Sequence, residues 1–191
     1  MSNISQRRFK MKFLELAKDR YSVRKFSDKK VEKELLDLIL EAGRTAPTAC
    51  NYQPQRILVL DNETDLAGLS LCMPFKFNHQ LALLTCYDKN ISWKRKFDGK
   101  DEGEIDAAIV TTHMMLQASE LGIGSTWVGH FDPEKVKKTY HIPEHIIPVS
   151  ILLMGHPADD ADPNKLHYER LDLSQTVFHG SFPDTEEDTK Q

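Results

Sequence analysis

Cysteine is scarce in this sequence, and long apolar runs are missing. Cys50, Cys72 and Cys86 are its only cysteines among 191 residues, and no two of them form a CxxC pair. Three thiols leave at least one unpaired in any disulfide scheme, which argues against a secreted, disulfide-linked scaffold. No stretch approaches the roughly eighteen apolar residues of a membrane span, and the opening MSNISQRRFKMK lacks the apolar core of a signal peptide. The sequence therefore predicts a cytoplasmic protein that does not bind membranes.

An excess of positive charge is also lacking. Lysine and arginine number 25 against 29 aspartates and glutamates, which gives a formal net charge of -4. A protein that binds nucleic acid neutralises many phosphates, so this balance predicts no nucleic-acid partner and only local basic clusters. A chain of 191 residues with 40% hydrophobic and 28% charged content is typical of one globular domain. We expect a single domain over 1–191, with its core at about 9–180 and an acidic, mobile tail at 183–191.

The glycines of ELGIGSTWVG do not form a dinucleotide-binding fingerprint. Gly122, Gly124 and Gly129 follow a predicted helix and precede a predicted strand, which reverses the order that a Rossmann phosphate loop needs. Gly122 is better explained as the left-handed residue that ends the preceding helix. A nicotinamide nucleotide, if used, is therefore not held in the Rossmann manner.

Metal binding and serine-hydrolase chemistry lack support as well. His141 and His145 are four residues apart, but Pro143 interrupts the helical turn that would align them, and no carboxylate or thiol stands at ligand spacing. We expect solvated histidines and no metal site. The sequence has no GxSxG elbow that would indicate a Ser-His-Asp nucleophile.

Hydrophobic periodicity predicts helices that precede, separate and follow short strands. The predicted helices cover 9–18, 31–43, 104–121 and 133–140, the predicted strands cover 56–60, 81–87, 125–128 and 149–154, and 45–54 is a predicted loop. Ser27 or Asp28 should cap the second helix and Gly43 should end it, while Asp132 should cap the fourth, with Pro133 in its first turn. This order predicts an α+β layered protein rather than a strictly alternating one.

The stretch RYSVRKF gathers positive charge beside residues that should be buried, Val23 and Phe26. In an extended chain, Arg20, Ser22 and Arg24 project to one side, because side chains alternate along a strand. Two planar guanidiniums and a hydroxyl on one face suit a phosphate dianion. The alternative is a solvated pair of arginines that form surface ion pairs with Asp19 and Asp28, and this stretch alone leaves both interpretations open.

Five motifs in order carry a resemblance to the FMN-dependent nitroreductase family, over about 13–178. RYSVRKF resembles the family's R-R-S-x-R-x-F, and APTACNYQP resembles its P-S-x-x-N-x-Q-P. GIGSTWVGHFDPEKV resembles G-x-G-x-x-W-x-G-x-F with the short helix after it. LLMGHPAD resembles the G-Y-P-A turn, and HYERLDLSQTVF resembles the C-terminal arm with its single arginine. Each motif alone is weak, but their order and spacing make the resemblance specific.

The resemblance implies an α+β sandwich with a central, mainly antiparallel sheet flanked by helices, in an interlocked homodimer with FMN at the subunit interface. It implies an oxidoreductase that takes hydride from NADH or NADPH onto flavin N5. A ping-pong mechanism then passes it to a nitroaromatic, a quinone or a similar small acceptor. Two alternatives remain open: the same flavin site with another reaction (enone reduction, dehalogenation or flavin breakdown), or a flavin-binding protein without significant turnover.

The resemblance also implies roles for individual residues near the amino end. Arg20 and Ser22 hold the FMN phosphate and ribityl chain, and Arg170 returns from the C-terminal arm to the same phosphate. Arg24 lies at the N1 and O2 edge of the flavin, where a guanidinium favours the reduced ring and raises its potential. Tyr21, beside them, belongs to the same predicted set.

The remaining predicted contacts come from three other segments. The backbone N–H groups of Gly129 and His130 face flavin N5 and O4, and Asn78 is a further cofactor contact. No side chain is required as an acid or a base, and His130 is the one candidate substrate contact, with an imidazole that points away as the alternative. The partner subunit contributes Pro47, Thr48, Ala49, Asn51 and Gln53.

Overall fold

The computed structural model of this chain describes residues 12–183 and is built around a four-stranded sheet. The strands are β1 (Gln55–Leu60), β2 (Leu81–Asp88), β3 (Gly124–Val128) and β4 (Ile146–Gly155). Their order across the sheet is β1-β2-β4-β3, and every neighbouring pair is antiparallel. The predicted α+β class and antiparallel sheet are confirmed, and each predicted strand is present with slightly wider bounds.

Five α-helices and three short 3-10 turns surround the sheet in the described part of the chain. The helices are α1 (Phe13–Asp19), α2 (Lys33–Arg44), α3 (Glu63–Leu69), α4 (Gly103–Glu120) and α5 (Pro133–Thr139), and the 3-10 turns are Ala49–Asn51, Lys165–His167 and Leu173–Gln175. None of the helices within 12–183 is long and apolar enough to cross a membrane.

Each face of the sheet carries its own hydrophobic core. All residues of β2 from Leu81 to Tyr87 are buried, because helices cover both faces. Ala82 and Leu84 pack with Leu69 of α3, and Leu81 and Leu83 pack with Met114 of α4. Because alternate side chains of β2 face opposite sides of the sheet, the fold has three layers: helices, sheet and helices.

The second helix differs from its prediction at both ends. It begins at Lys33 after Glu32 rather than at a Ser27 or Asp28 cap. The backbone N–H of Ser27 is bonded to the carbonyl of His156 at 2.9 Å, so this residue belongs to the extended segment before the helix. Gly43 lies inside the helix and does not end it. A Cβ there would come within 2.8 Å of Met114 Cγ, so this glycine permits close packing of α2 on α4.

Other helix predictions were correct or incomplete. Asp132 caps α5 by accepting a hydrogen bond from Lys135 N at 3.0 Å, and Gly122 adopts a left-handed φ of 78° just after α4, as predicted. Periodicity missed α3, which is only seven residues long and begins at an Asn62 cap. The predicted start of the first helix at 9 and most of the predicted tail at 183–191 lie outside the described residues.

His79 is a buried histidine whose protonation should affect the stability of the core. Its side chain is 8% exposed and neither ring nitrogen has a hydrogen-bond partner in the described chain, so burial lowers its pKa. The neutral ring is therefore favoured in the folded protein, and unfolding takes up a proton at low pH. The free energy of unfolding should be unaffected by His79 above the ordinary histidine pKa of about 6.5, and it should fall as the pH drops below that value.

The measurement is urea unfolding at pH 7.5 and 5.5. His79→Leu should lose less free energy of unfolding between these conditions than the wild type, because the leucine cannot be protonated. His179→Gln, a change at an exposed histidine, should keep the wild-type difference. An identical pH dependence in all three proteins would contradict the assignment to His79.

Candidate functional site

The RYSVRKF stretch lies along β3 and is held there by its main chain. Val23 N donates to Ser125 O at 3.0 Å, Thr126 Oγ1 donates back to Val23 O, and Phe26 N donates to Phe77 O at 3.3 Å. The side chains of Val23 and Phe26 are only 2% and 4% exposed. These bonds and this burial fix the alternation of side chains along the segment.

Four of the predicted side chains meet in one cavity of about 240 Å³, which we name the arginine cavity. Arg20, Ser22 and Arg24 line it, as the extended alternation predicts, and Arg170 closes it from the C-terminal segment. Its other lining residues are Asn164, Leu166 and His167. Residues 150 positions apart in the sequence therefore share one concave, basic surface.

No carboxylate neutralises this cavity within residues 12–183. Arg20, Arg24 and Arg170 have no acidic group within 4 Å there, so the alternative of ion pairs with Asp19 and Asp28 is wrong. Asp28 instead accepts a hydrogen bond from Asn78 Nδ2. Burial lowers the pKa of Arg20, and the nearby charge of Arg170 lowers it further.

Tyr21 points away from the arginine cavity. It lines a neighbouring cavity together with Leu16 and Gly122, and Arg20 borders both cavities. Its hydroxyl donates to Ala161 O at 3.0 Å, and its ring meets the edge of His167. Tyr21 thus supports the wall that carries His167, and its direct contact with a cofactor stays a prediction.

A second cavity, of about 200 Å³, adjoins the first through Arg24, and we name it the aromatic cavity. Phe75 and Phe77 stack in its wall with centroids 5.5 Å apart, and His130 meets Phe75 edge to face at 6.1 Å. A Cβ added to Gly129 would have no neighbour within 4 Å, so the backbone there borders open space. The remaining lining residues are Thr126, Trp127 and Val128.

Loop 45–54, which is predicted to contact the cofactor of the partner subunit, lies away from both cavities of its own chain. Cys50, Asn51 and Gln53 have left-handed φ angles of 51°, 57° and 51°, which are uncommon for residues other than glycine. Gln53 N donates to Thr48 Oγ1 at 3.1 Å and helps to fold the turn. No residue of 45–54 lines either cavity, so one chain does not bring the whole predicted set together.

Asn78 and Asp106 are fixed by contacts within the chain. Asn78 has a φ of 57°, and its amide also donates to Phe26 O at 3.2 Å, so it pins the RYSVRKF stretch, and its role as a cofactor contact stays a prediction. Asp106 was not singled out from the sequence, although Oδ1 accepts a hydrogen bond from Ala49 N at 2.8 Å. Its spacing of four from Val110 placed it on the buried stripe of α4, and an acid on such a stripe is the signal that could have found it.

Comparisons with known proteins agree on one family. The model of the nitroreductase family matches residues 17–94 and 79–156. A nitroreductase family protein of Clostridium difficile 630 is 42% identical, with a TM-score of 0.85 over 90% of this chain and 100% of its own.

Two further relatives carry names that mention a cofactor. A solved FMN-dependent nitroreductase of Clostridium difficile R20291 is 27% identical, with a TM-score of 0.75 over 89% of this chain and 100% of its own. The FMN reductase (NAD(P)H) of Bacillus subtilis strain 168 is 26% identical, over 84% of this chain and 72% of that protein.

The charge of the arginine cavity predicts a response to inorganic phosphate. A bound dianion should add about 1.4 kcal/mol to the free energy of unfolding at ten times its Kd, and so raise the melting temperature of the ligand-free protein. Arg170→Gln should lose most of this response. Arg56→Gln, at an arginine of β1 that lies 3.7 Å from Asp88, is the control and should respond as the wild type does. Equal shifts in all three proteins at constant ionic strength would contradict a phosphate site.

Proposed function

Because the chain belongs to the nitroreductase family, we propose that it is an FMN-dependent oxidoreductase that uses NAD(P)H to reduce a nitroaromatic, a quinone or a similar small acceptor. The observation that carries the proposal is the arginine cavity. Three guanidiniums without a carboxylate partner line it among the described residues, and one of them also lines an aromatic cavity. The names of the two relatives that mention FMN and NAD(P)H support the same cofactor and donor.

The two cavities suit the two ends of FMN. Arg20, Ser22 and Arg170 would hold the phosphate through charge-assisted hydrogen bonds, which are stronger than neutral ones. Phe75, Phe77 and the backbone at Gly129 would flank the ring, since aromatic side chains and open backbone suit a planar heterocycle. Arg24 lines both cavities, so a single extended FMN molecule would pass Arg24 between its phosphate and its ring.

Arg24 also has an electrostatic role in this proposal. Bound FMN supplies the capacity to accept a hydride from NAD(P)H and to deliver electrons to an acceptor. A guanidinium at the edge of the flavin ring stabilises the reduced form, which carries more negative charge than the oxidised form. Arg24 would therefore raise the reduction potential of the bound flavin. The site needs no side-chain acid or base for this, and the imidazole of His130 stands on the cavity wall as the proposed substrate contact.

The apolar surface of the C-terminal segment supports a homodimer. Leu166, Tyr168, Leu171, Leu173 and Phe182 are between 61% and 78% exposed, which is unusual for a group of large apolar side chains on one segment. A second copy that covers this arm would bury them. We propose that the same contact brings loop 45–54 of the partner over the flavin, which completes the site that one chain leaves open.

Enzyme assays test the function directly. FMN-loaded protein should lose its yellow colour on addition of NADH or NADPH, and menadione or a nitrofuran should restore the colour and stimulate steady-state NAD(P)H oxidation. Because donor and acceptor use the same cavity in turn, double-reciprocal plots should be parallel. Protein stripped of FMN is the control and should be inactive until FMN is returned. Tight FMN binding without acceptor-stimulated oxidation would contradict an oxidoreductase and favour a flavin-binding protein.

A complementation experiment tests the shared site. Arg20→Ala should weaken FMN binding by about ten- to a hundredfold, the value of a hydrogen bond to a charged group. Asn51→Ala should weaken it through the partner's loop.

Mixed dimers then distinguish a shared site from one within a single chain. A dimer with one Arg20→Ala subunit and one Asn51→Ala subunit holds one doubly defective site and one intact site. Half of its sites should therefore bind FMN with wild-type affinity. If no site of the mixed dimer recovers, each site is built within one chain and the proposed sharing is wrong. Lys33→Ala mixed with Asn51→Ala is the control for co-expression, because Lys33 is exposed on α2 and pairs only with Asp37 of the same helix.

A further inference from the structure

Asp106 is a buried acid that the proposed chemistry does not use. It lies in the first turn of α4 and is only 1% exposed. Aspartate is almost never fully buried without a partner, because removing a carboxylate from water is costly. Within residues 12–183 it has no cationic partner, and its Oδ2 has no hydrogen bond at all. The one hydrogen bond of its side chain is therefore made by the other oxygen, Oδ1.

That other oxygen bonds the loop at 45–54. Asp106 Oδ1 accepts a hydrogen bond from the backbone N–H of Ala49 at 2.8 Å, across 57 positions of sequence. Burial raises the pKa of Asp106, as do the nearby Glu102 and Asp101, whereas the Ala49 N–H lowers it. The bond to the loop is thus the contact that favours the ionised carboxylate.

The bonded residue stands at the start of a strained turn. Directly after Ala49, Cys50 and Asn51 adopt left-handed φ angles, in which the Cβ of an ordinary residue crowds its own carbonyl. Arg56 Nη1 donates to Gln53 O at 3.3 Å at the far end of the turn. A turn with this geometry persists only where its surroundings hold it, and Asp106 holds its first residue.

Helix capping does not account for Asp106. The residue that serves the amino end of α4 is Asp101, whose Oδ1 accepts a hydrogen bond from Gly103 N at 2.9 Å. Asp106 lies five residues beyond Asp101, and its own N–H is already bonded to Glu102 O. Its side chain therefore serves the loop rather than the helix.

We propose that Asp106 is a positioning residue for the flavin site. By bonding Ala49 N, it holds the turn in the one conformation that presents Asn51 and Gln53 to the FMN of the neighbouring subunit. Each subunit then prepares the partner's site with an acid from its own core. The inference rests on the proposed function, because it needs FMN to bind between the two chains.

Three substitutions at Asp106 and one control test the proposal in the FMN-loaded dimer. Asp106→Leu removes the acceptor from Ala49 N while filling similar volume without a buried carboxylate. It should bind FMN about tenfold more weakly, the value of a hydrogen bond with a charged partner. Asp106→Ala should show the same loss and keeps the test available if the leucine variant does not fold. Asp106→Asn retains an acceptor oxygen at the same place, so it should bind FMN nearly as the wild type does.

Asp101→Ala is the matched control, since it removes a carboxylate-to-backbone bond from the same helix without touching the loop. It should lower the melting temperature and leave FMN affinity unchanged. Visible circular dichroism of the bound flavin should change in Asp106→Leu and be restored in Asp106→Asn.

The outcomes separate this inference from the proposed function. If the wild type binds FMN and Asp106→Leu and Asp106→Ala bind it equally well, the positioning role is wrong and the proposed function stands. If Asp101→Ala loses FMN affinity in proportion to its stability, the effect at Asp106 is general destabilisation and the positioning role is again wrong. A wild-type protein that does not bind FMN would overturn the proposed function itself.

Discussion

The gathering of three positive charges at one cavity is the constraint on which the proposed site depends. Arg20, Arg24 and Arg170 surround one cavity, and no acid neutralises them among the described residues. Two like charges 4 Å apart in water repel each other by about 1 kcal/mol. Burial of Val23 and Phe26 contributes about 1.5 to 3 kcal/mol for each side chain. The core therefore outweighs the repulsion and holds the charges in place until an anion neutralises them.

Loop 45–54, which forms the other wall of the proposed site, is also held in an unfavourable conformation. Loop 45–54 carries three left-handed residues that are not glycine, and a buried carboxylate holds its first turn. Neither feature improves the stability of an isolated chain. Both features are explained if two identical subunits form each flavin site together. One subunit then supplies the arginine cavity that binds the phosphate, and the other supplies the strained loop. The exposed apolar arm at Leu166 to Phe182 is the surface that would join them.

The sequence predicted what depends on local periodicity and failed where distant contacts decide. The alternation of Arg20, Ser22 and Arg24 was predictable because an extended backbone fixes it. The start of α2 was not, since Ser27 is bonded to His156, a residue far along the chain. Gly43 looked like a helix stop but serves packing against Met114. The family motifs identified the arginine cavity, whereas the role of Asp106 became visible only when Ala49 lay beside it.

The most direct test of the shared flavin site is sedimentation velocity recorded at both the protein and the flavin absorption. At dilutions where monomer and dimer coexist, the flavin signal should sediment with the dimer alone, because each cavity lacks its second wall in the monomer. Flavin that sediments with the monomer would contradict a site built by two chains.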